Sequence, residues 1–236
     1  MNSKVVLFGP ADHGKSTVIG YMYANSLQMD MDSVERNLRD KLGNRFNAGY
    51  LYSSLLNTEH NSRFNTRLNG LRRILDFTFI DTPGHEQYLS EREQGISMGE
   101  IGIFCLAINE VLNDKFEEAM DEFTDLWFEH YATRRLICLL TKFDLLAYSQ
   151  DDYEKACERV ISCCRRVMVE RSDNVFGVDI DFDVPEPGFA AIIPVAVLFD
   201  KRDGVNIISH SEKTPWYRGP LLVEAIRERE NDLPDV

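Results

Sequence analysis

Basic charge is what this sequence is short of: 26 lysines and arginines stand against 39 aspartates and glutamates, a formal net charge of −13. A binder of nucleic acid or of an anionic membrane needs a basic footprint to meet phosphates, so neither role is expected of the chain by itself. Arg63, Arg67, Arg72 and Arg73 form a local cluster. Such a cluster reads either as a solvated or internally paired face or as a contact for a partner or a phosphate. Long apolar runs are also missing, and none approaches the roughly 18 residues that a membrane span needs. The N-terminus passes directly into the strand-like run SKVVLFG rather than into a secretory leader. Cysteine is scarce and odd in number, five in all. Cys105 and Cys138 sit in the apolar runs IGIFCLAI and RRLICLLT, as small buried hydrophobes do. Cys157, Cys163 and Cys164 share a helical pattern without metal-ligand spacing or histidine partners. A chain of 236 residues buries roughly 70–75% of its unfolded surface and needs no disulfide or metal for stability. The expectation is a reduced, cytoplasmic protein.

What is present is a rhythm of apolar runs and helical patterns. Lys4–Phe8 is followed by a glycine-bearing loop and a helical pattern from Lys15. Apolar runs recur at Ile74–Ile80, Ile101–Ile108, Leu136–Leu140 and Ala190–Val197. Between the last two, Tyr153, Ala156, Cys157, Val160, Ile161, Cys164, Val167 and Met168 recur at helical spacing. This alternation predicts an α/β fold, a mainly parallel sheet of about six strands with helices on both faces. The length suits one domain over residues 1–236 with an insertion. The insertion is polar and spans about residues 30–66. Within it DSVERNLRDKLG predicts a helix that starts at an Asp or Ser cap and ends at Gly43. Residues 172–188 are acidic, and Asp179, Asp181 and Asp183 imitate the start of a calcium loop. Val184 stands where that loop needs glycine and Ala190 where it needs glutamate, so an acidic surface loop is expected.

Three motifs carry chemistry. In FGPADHGKSTVIG, Gly9 to Ser16 fits G-x-x-x-x-G-K-S, between a strand and a helix as a phosphate-binding loop requires. Gly9 and Gly14 let the backbone turn closely around a ligand. The successive N–H groups of the loop, through Asp12, His13 and on to Thr17, can cradle phosphate oxygens at the helix N-terminus. Lys15 would reach the β and γ phosphates, and the Ser16 hydroxyl would ligate Mg²⁺. This makes the fold a P-loop NTPase, against the plain alternative of a structural turn.

After the strand ILDFTFI comes DTPGHEQY. Asp81 at the strand end is placed to hold Mg²⁺ through water, and the Gly84 N–H to meet a γ-phosphate oxygen. His85 can orient the attacking water, or it is a surface histidine after a turn. TKFD, Thr141 to Asp144, follows the strand LICLL. The Asp144 carboxylate can accept from guanine N1–H and N2–H₂, whereas adenine would leave it unpaired at a cost of about a few kcal/mol. Lys142 would lie along the base. The three motifs together point to GTP or GDP with Mg²⁺.

GPADHGKST, DTPGHEQY and TKFD resemble the signatures of the translational GTPase superfamily, over about residues 3–230. The resemblance is to the branch holding the archaeal and eukaryotic factors that deliver aminoacyl-tRNA and the GTPase subunit of sulfate adenylyltransferase. YLYSSLLNTEHNSRFNT resembles that branch's segment before the first switch, and TPWYRGPLLVEAI its approach to the last helix. The resemblance implies that Mg²⁺ is held by Ser16 and Thr66, with Asp81 in its outer shell. The alternative for Thr66 is an ordinary loop threonine. It further implies Gly84 as the γ-phosphate sensor and His85, with Lys15, as catalytic. It implies a molecular switch that hydrolyses GTP slowly without a partner, the moving parts being about 45–70 and 82–100, read by a protein partner or the ribosome.

The departures are specific. Pro10 and Ala11 replace His-Val, and Asn65 replaces the isoleucine of the switch, so the family's apolar gate over the histidine becomes smaller and polar. Thr141 replaces the commoner asparagine. Ala196 and Val197 stand in the base-binding loop where the family has Ser-Gly or Ser-Ala, leaving a backbone N–H for guanine O6 but no hydroxyl. The sequence ends at ERENDLPDV, where the family continues into two β-barrel domains, so barrels and tRNA delivery are not expected of this chain. The alternative is a GTP-sensing interaction module with little or no hydrolysis. TKFD opposes a third reading, an ATP-using phosphotransferase.

Overall fold

Lys4–Phe8 reads as an unbroken apolar run because both of its faces are covered. In the computed structural model, which describes residues 3–45, 50–56, 72–113, 116–117, 120, 136–176, 189–199 and 203–233, this run is strand β1 of a six-stranded sheet. The order is β2 (Arg72–Ile74), β3 (Phe77–Asp81), β1, β4 (Ile101–Ala107), β5 (Leu136–Thr141) and β6 (Phe189–Pro194). All neighbours run parallel except β2, which pairs antiparallel with β3. A separate antiparallel pair joins β7 (Ala196–Leu198) to β8 (Asp203–Val205). The fold is therefore the α/β, mainly parallel architecture expected of a P-loop protein.

Alternation along the strands builds two cores. Val5, Leu7, Ile103, Ile137 and Leu139 pack with Val18, Ile19 and Met22 of α1 (Lys15–Ser26) and with Leu222, Ala225 and Ile226 of α7 (Leu222–Asn231). Val6, Phe8, Phe104, Leu106, Cys138 and Leu140 face the other way. They meet Ile96 of α4 (Leu89–Ser97), Ile108 and Val111 of the short α5 (Ile108–Val111), and Ala156, Val160 and Cys164 of α6 (Gln150–Phe176). Each such buried aliphatic side chain contributes about 1.5–3 kcal/mol, which holds the sheet as a rigid floor for the loops at its edge.

Two apolar runs are broken where tertiary structure demands a turn. Ile74–Ile80 divides into the β2–β3 hairpin, with Leu75 at φ 55° and partly exposed. Ala190–Val197 divides at Val195 between β6 and β7. In the insertion, α2 (Met31–Leu42) begins earlier than the sequence pattern indicates. Its cap is Asp30, whose carboxylate accepts from the N–H groups of Asp32 and Ser33, and Gly43 at φ 52° ends it. The next helix, α3 (Tyr50–Ser53), lies hard against α1: a methyl group on Gly20 would sit 2.1 Å from the Tyr52 carbonyl oxygen.

Cys105, Cys138, Cys163 and Cys164 are buried and Cys157 half-buried, all as free thiols. Among the described residues no helix is long and apolar enough to cross a membrane. Arg63, Asn65, Thr66, Arg67 and the aspartates of the 179–183 stretch lie outside the described residues.

Candidate functional site

The chain leaves β1 for β3 on one side and returns to β4 on the other. That reversal opens a crevice at the C-terminal end of β1, where ligands of open α/β sheets bind. The loop Gly9–Gly14 occupies it. Gly9 has φ 137°, Asp12 φ 61° and Gly14 φ 82°, a series of turns that brings the loop back into the start of α1. Gly9 is also fixed by space, since a methyl group there would lie 2.3 Å from the Cys105 carbonyl oxygen in β4.

Within the loop, Lys15 is buried and its ammonium donates to the carbonyls of Gly9, at 2.7 Å, and Pro10, at 2.6 Å. Burial lowers its pKa. His13 turns inward rather than toward the crevice. Its Nδ1 accepts from the Ala107 N–H at 3.1 Å, which puts the proton of the neutral ring on Nε2. Burial, with the charges of Lys15 and Lys142, pulls its pKa down to about 3. A contact from His13 to phosphate would therefore come through its backbone, not its ring. Asp12 is exposed, and Ser16 and Thr17 are half-buried at the first turn of α1.

Asp81 ends β3 beside this turn and accepts a 2.6 Å hydrogen bond from the Ser16 hydroxyl. Burial raises its pKa to about 6, against the lowering effects of that bond and of Lys15. Thr82 anchors the next residues, its hydroxyl donating to the Leu7 carbonyl at 2.8 Å. Gly84 then folds directly over the phosphate loop: a methyl group on it would lie 2.5 Å from Ala11 N and 2.6 Å from Lys15 Nζ. His85 follows, half-buried, with its carbonyl accepting from the Tyr88 N–H as the chain enters α4.

The TKFD segment is tied to the same loop. The Thr141 hydroxyl donates to the His13 carbonyl at 2.9 Å, and a methyl on Gly14 would touch the Thr141 side chain. Lys142 adopts φ 57°, Phe143 is buried, and Asp144 emerges exposed in a 3-10 turn. The Phe143 ring anchors that turn edge-on to Tyr148, Tyr153 and Trp216. Its N–H donates to the Val195 carbonyl, which brings Pro194–Val197 alongside. There Ala196 is buried, Val197 half-buried, and the Asn206 amide donates to the Pro194 carbonyl at 2.9 Å and to the Thr214 hydroxyl.

The structure thus brings together Gly9, Gly14, Lys15, Ser16, Asp81 and Gly84 at one crevice, and links them through His13 and Thr141 to Asp144. Thr66 lies outside the described residues. Sequence reasoning passed over Arg92, the largest fully buried side chain among the described residues. Its one signal is an arginine on the buried stripe Arg92, Gly95, Ile96 of α4. It also passed over the aromatic anchor of Phe143. A hydroxyl beside a carboxylate at the phosphate crevice is an oxygen-donor set that suits a hard cation, so Ser16 and Asp81 fit Mg²⁺.

A mainly parallel sheet with a phosphate loop at its switch point is the architecture of a P-loop nucleotide-binding domain. The chain matches the family described as Elongation factor Tu GTP binding domain over residues 2–228, and it belongs to that family. Elongation factor 1-alpha of Methanocaldococcus jannaschii is 24% identical over 228 residues, which are 94% of this chain and 48% of the relative. Its counterpart in Methanopyrus kandleri is 25% identical over 228 residues, 94% of this chain and 45% of the relative. The chain thus spans about half the length of these curated relatives. The S. cerevisiae Ski7 GTPase-like domain bound to GTP matches with a TM-score of 0.62 and 19% identity, covering 100% of this chain and 51% of that one. A sup35 structure complexed with GDP matches with a TM-score of 0.55 and 16% identity, covering 95% and 43%. At these identities the likeness to solved structures is one of fold.

Proposed function

We propose that residues 1–236 form one G domain that binds GTP and GDP with Mg²⁺ and hydrolyses GTP slowly as a molecular switch. The observation that carries this reading is the convergence of Lys15, the Ser16–Asp81 pair and Gly84 on one crevice. Lys15 gives up its carbonyl partners in the loop for the β and γ phosphate oxygens. Ser16, with Thr66 from the insertion and Asp81 in the outer shell, would hold Mg²⁺, whose charge would offset that of the phosphates. The Gly84 N–H meets a γ-phosphate oxygen, and His85 orients the water that attacks the γ-phosphorus in line. The bond to the β–γ bridging oxygen breaks, leaving GDP and inorganic phosphate. Asp144 selects guanine through N1–H and N2–H₂, and the backbone at Ala196 and Val197 offers a donor to O6.

Loss of the γ-phosphate contacts would release residues 45–70 and 82–100, the surface a protein partner reads. The acidic chain suits such a partner in the cytoplasm better than direct contact with nucleic acid. The test is equilibrium competition of GTP, GDP and ATP against a fluorescent GDP in the presence of Mg²⁺. Displacement by both guanine nucleotides and not by ATP supports the reading, and equal displacement by ATP contradicts it.

A further inference from the structure

Beside β6, the last strand in the order of the sheet, lies a cleft of about 370 Å³ that the proposed reaction does not use. Its floor is Ala190 and Ala191 of β6. Its walls are Tyr153 and Glu154 of α6 and, from the loop before α7, Trp216 and Tyr217. The pairing of β6 with β5 passes from Phe189 to Ala191, so the strand bulges at Ala190, and two alanines in succession keep the floor low. The polar tips of the three rings are tied back to the main chain. The Tyr153 hydroxyl donates to the Ile192 carbonyl at 2.7 Å, the Tyr217 hydroxyl to the Pro220 carbonyl at 3.0 Å, and Trp216 Nε1–H to the Tyr148 carbonyl at 3.2 Å. What these walls offer an occupant is aromatic carbon.

Charge selects what that occupant is. The exposed Glu154 carboxylate takes a neutral donor, the Gln150 amide at 2.8 Å, so its charge is available at the rim. Residues 150–160 hold Asp151, Asp152, Glu154 and Glu158 against Lys155 and Arg159, and Arg159 is turned to the Phe116 ring. Arg218 also lines the cleft, and with it the surroundings remain acidic, as does the chain at −13. Aromatic faces beside a carboxylate suit a cation whose aliphatic stem lies along the rings. The same aromatic cluster already holds one, since the Lys213 ammonium sits 4.8 Å from the centroid of the Tyr148 ring.

The cleft also touches the turn that presents Asp144. The Phe143 ring, next to Asp144, packs edge-on to Trp216 at 5.8 Å and to Tyr153 at 6.3 Å, the two rings that wall the cleft. Through Tyr148, Trp216 holds the far end of the same turn. We propose that the cleft receives a lysine or arginine side chain from a basic segment of a partner protein, and that filling it strengthens guanine nucleotide binding through Trp216, Tyr153 and Phe143. An occupant fixes the two rings from the side opposite Phe143, and so steadies the turn that carries Asp144. This coupling rests on the reading that Asp144 holds guanine, whereas the cleft and its occupant do not depend on it.

The experiment titrates the protein, labelled with ¹⁵N-tryptophan, with a synthetic hexapeptide alternating arginine with serine and with one alternating glutamate with serine. Of the two indole signals, that of Trp216 is the one retained in Trp127→Phe. The expected result is a saturable shift of the Trp216 signal by the arginine peptide and none by the glutamate peptide. The arginine peptide should bind about three- to five-fold more weakly to Glu154→Gln, an exposed change that leaves the core intact. With that peptide saturating, the dissociation constant of GDP with Mg²⁺ should fall about five-fold, and GDP should tighten the peptide by the same factor. Equal shifts from the two peptides, or an unchanged titration in Glu154→Gln, would show general attraction to an acidic chain and overturn the inference. A Trp216 signal that moves with protein concentration alone gives the cleft to a second copy, and also overturns it. A filled cleft with unchanged GDP affinity removes the coupling and the proposal with it. No shift in a protein that binds GDP overturns the inference and leaves the nucleotide reading standing. A peptide that fills the cleft of a protein binding no guanine nucleotide overturns that reading, and the coupling with it.

Discussion

The Ser16 hydroxyl donates a 2.6 Å hydrogen bond to Asp81 Oδ2, joining the start of α1 to the end of β3 across 65 residues. The two motifs that carry them are far apart in sequence, and the parallel register of β1 with β3 is what brings them together. A hydroxyl and a carboxylate so placed are the donors for Mg²⁺ in the proposed site. Ser16→Ala and Asp81→Asn should each reduce the enhancement of GDP and GTP affinity by Mg²⁺ by about 10–100-fold. Affinity measured in EDTA should change little. Fluorescence titrations with and without Mg²⁺ check this, and an undiminished Mg²⁺ enhancement in both variants contradicts the assignment.

His13 gives a pH signature. Burial lowers its pKa from 6.5 to about 3 in the folded protein. The unfolded chain therefore takes up a proton between those limits that the folded protein refuses. The contribution of this group to stability is complete above about pH 6.5 and is lost as pH falls toward 3. From pH 6.5 to 5 the loss is about 1.5–2 kcal/mol. Asp81 works the other way. Its raised pKa means that its burial costs less as pH falls from about 6, so the two titrations partly cancel in the native protein. In His13→Gln the first contribution is gone. The stability of the variant relative to the native protein, by urea unfolding at pH 5 and 6.5, should rise by about that amount on acidification. A difference independent of pH would show that His13 is not buried neutral.

Asp144 is the exposed carboxylate assigned to the base. Replacing it by asparagine exchanges one acceptor for a donor. Guanine N2–H₂ then meets an amide N–H₂, whereas xanthine carries a carbonyl at that position. Asp144→Asn should weaken GTP by about 100-fold or more and bring XTP into the range of native GTP binding. Retained preference for GTP in the competition assay would remove Asp144 from the base site.

Much of this fold was legible because its signals are local. A strand buried on both faces must be apolar throughout, which identifies β1, β4 and β5, and the glycines of the phosphate loop have to follow one of them. The break at Leu75 was not legible, because the hairpin forms around a partly exposed leucine with positive φ, where no glycine or asparagine announces a turn. Nor was the cap at Asp30, since DSVERNLRDKLG offers two nearer cap residues, Asp32 and Ser33, and the first turn instead accommodates Met31 against the core. His13 matches a phosphate-loop position in sequence. Only the tertiary structure shows its ring turned to β4, because the Ala107 N–H it satisfies is 94 residues away. Arg92 was missed for a related reason. In a charged stretch such as LSEREQ, an arginine reads as surface, and its burial follows from the seating of α4 on β1.

The most direct test of the account is single-turnover conversion of bound GTP to GDP with Mg²⁺, in the native protein and in His85→Ala. The account predicts conversion by the native protein. For the variant it predicts GTP binding with native affinity and turnover at least about 100-fold slower. Equal turnover in the two proteins, or GTP held unchanged by both, would contradict a hydrolytic switch in which His85 positions the attacking water.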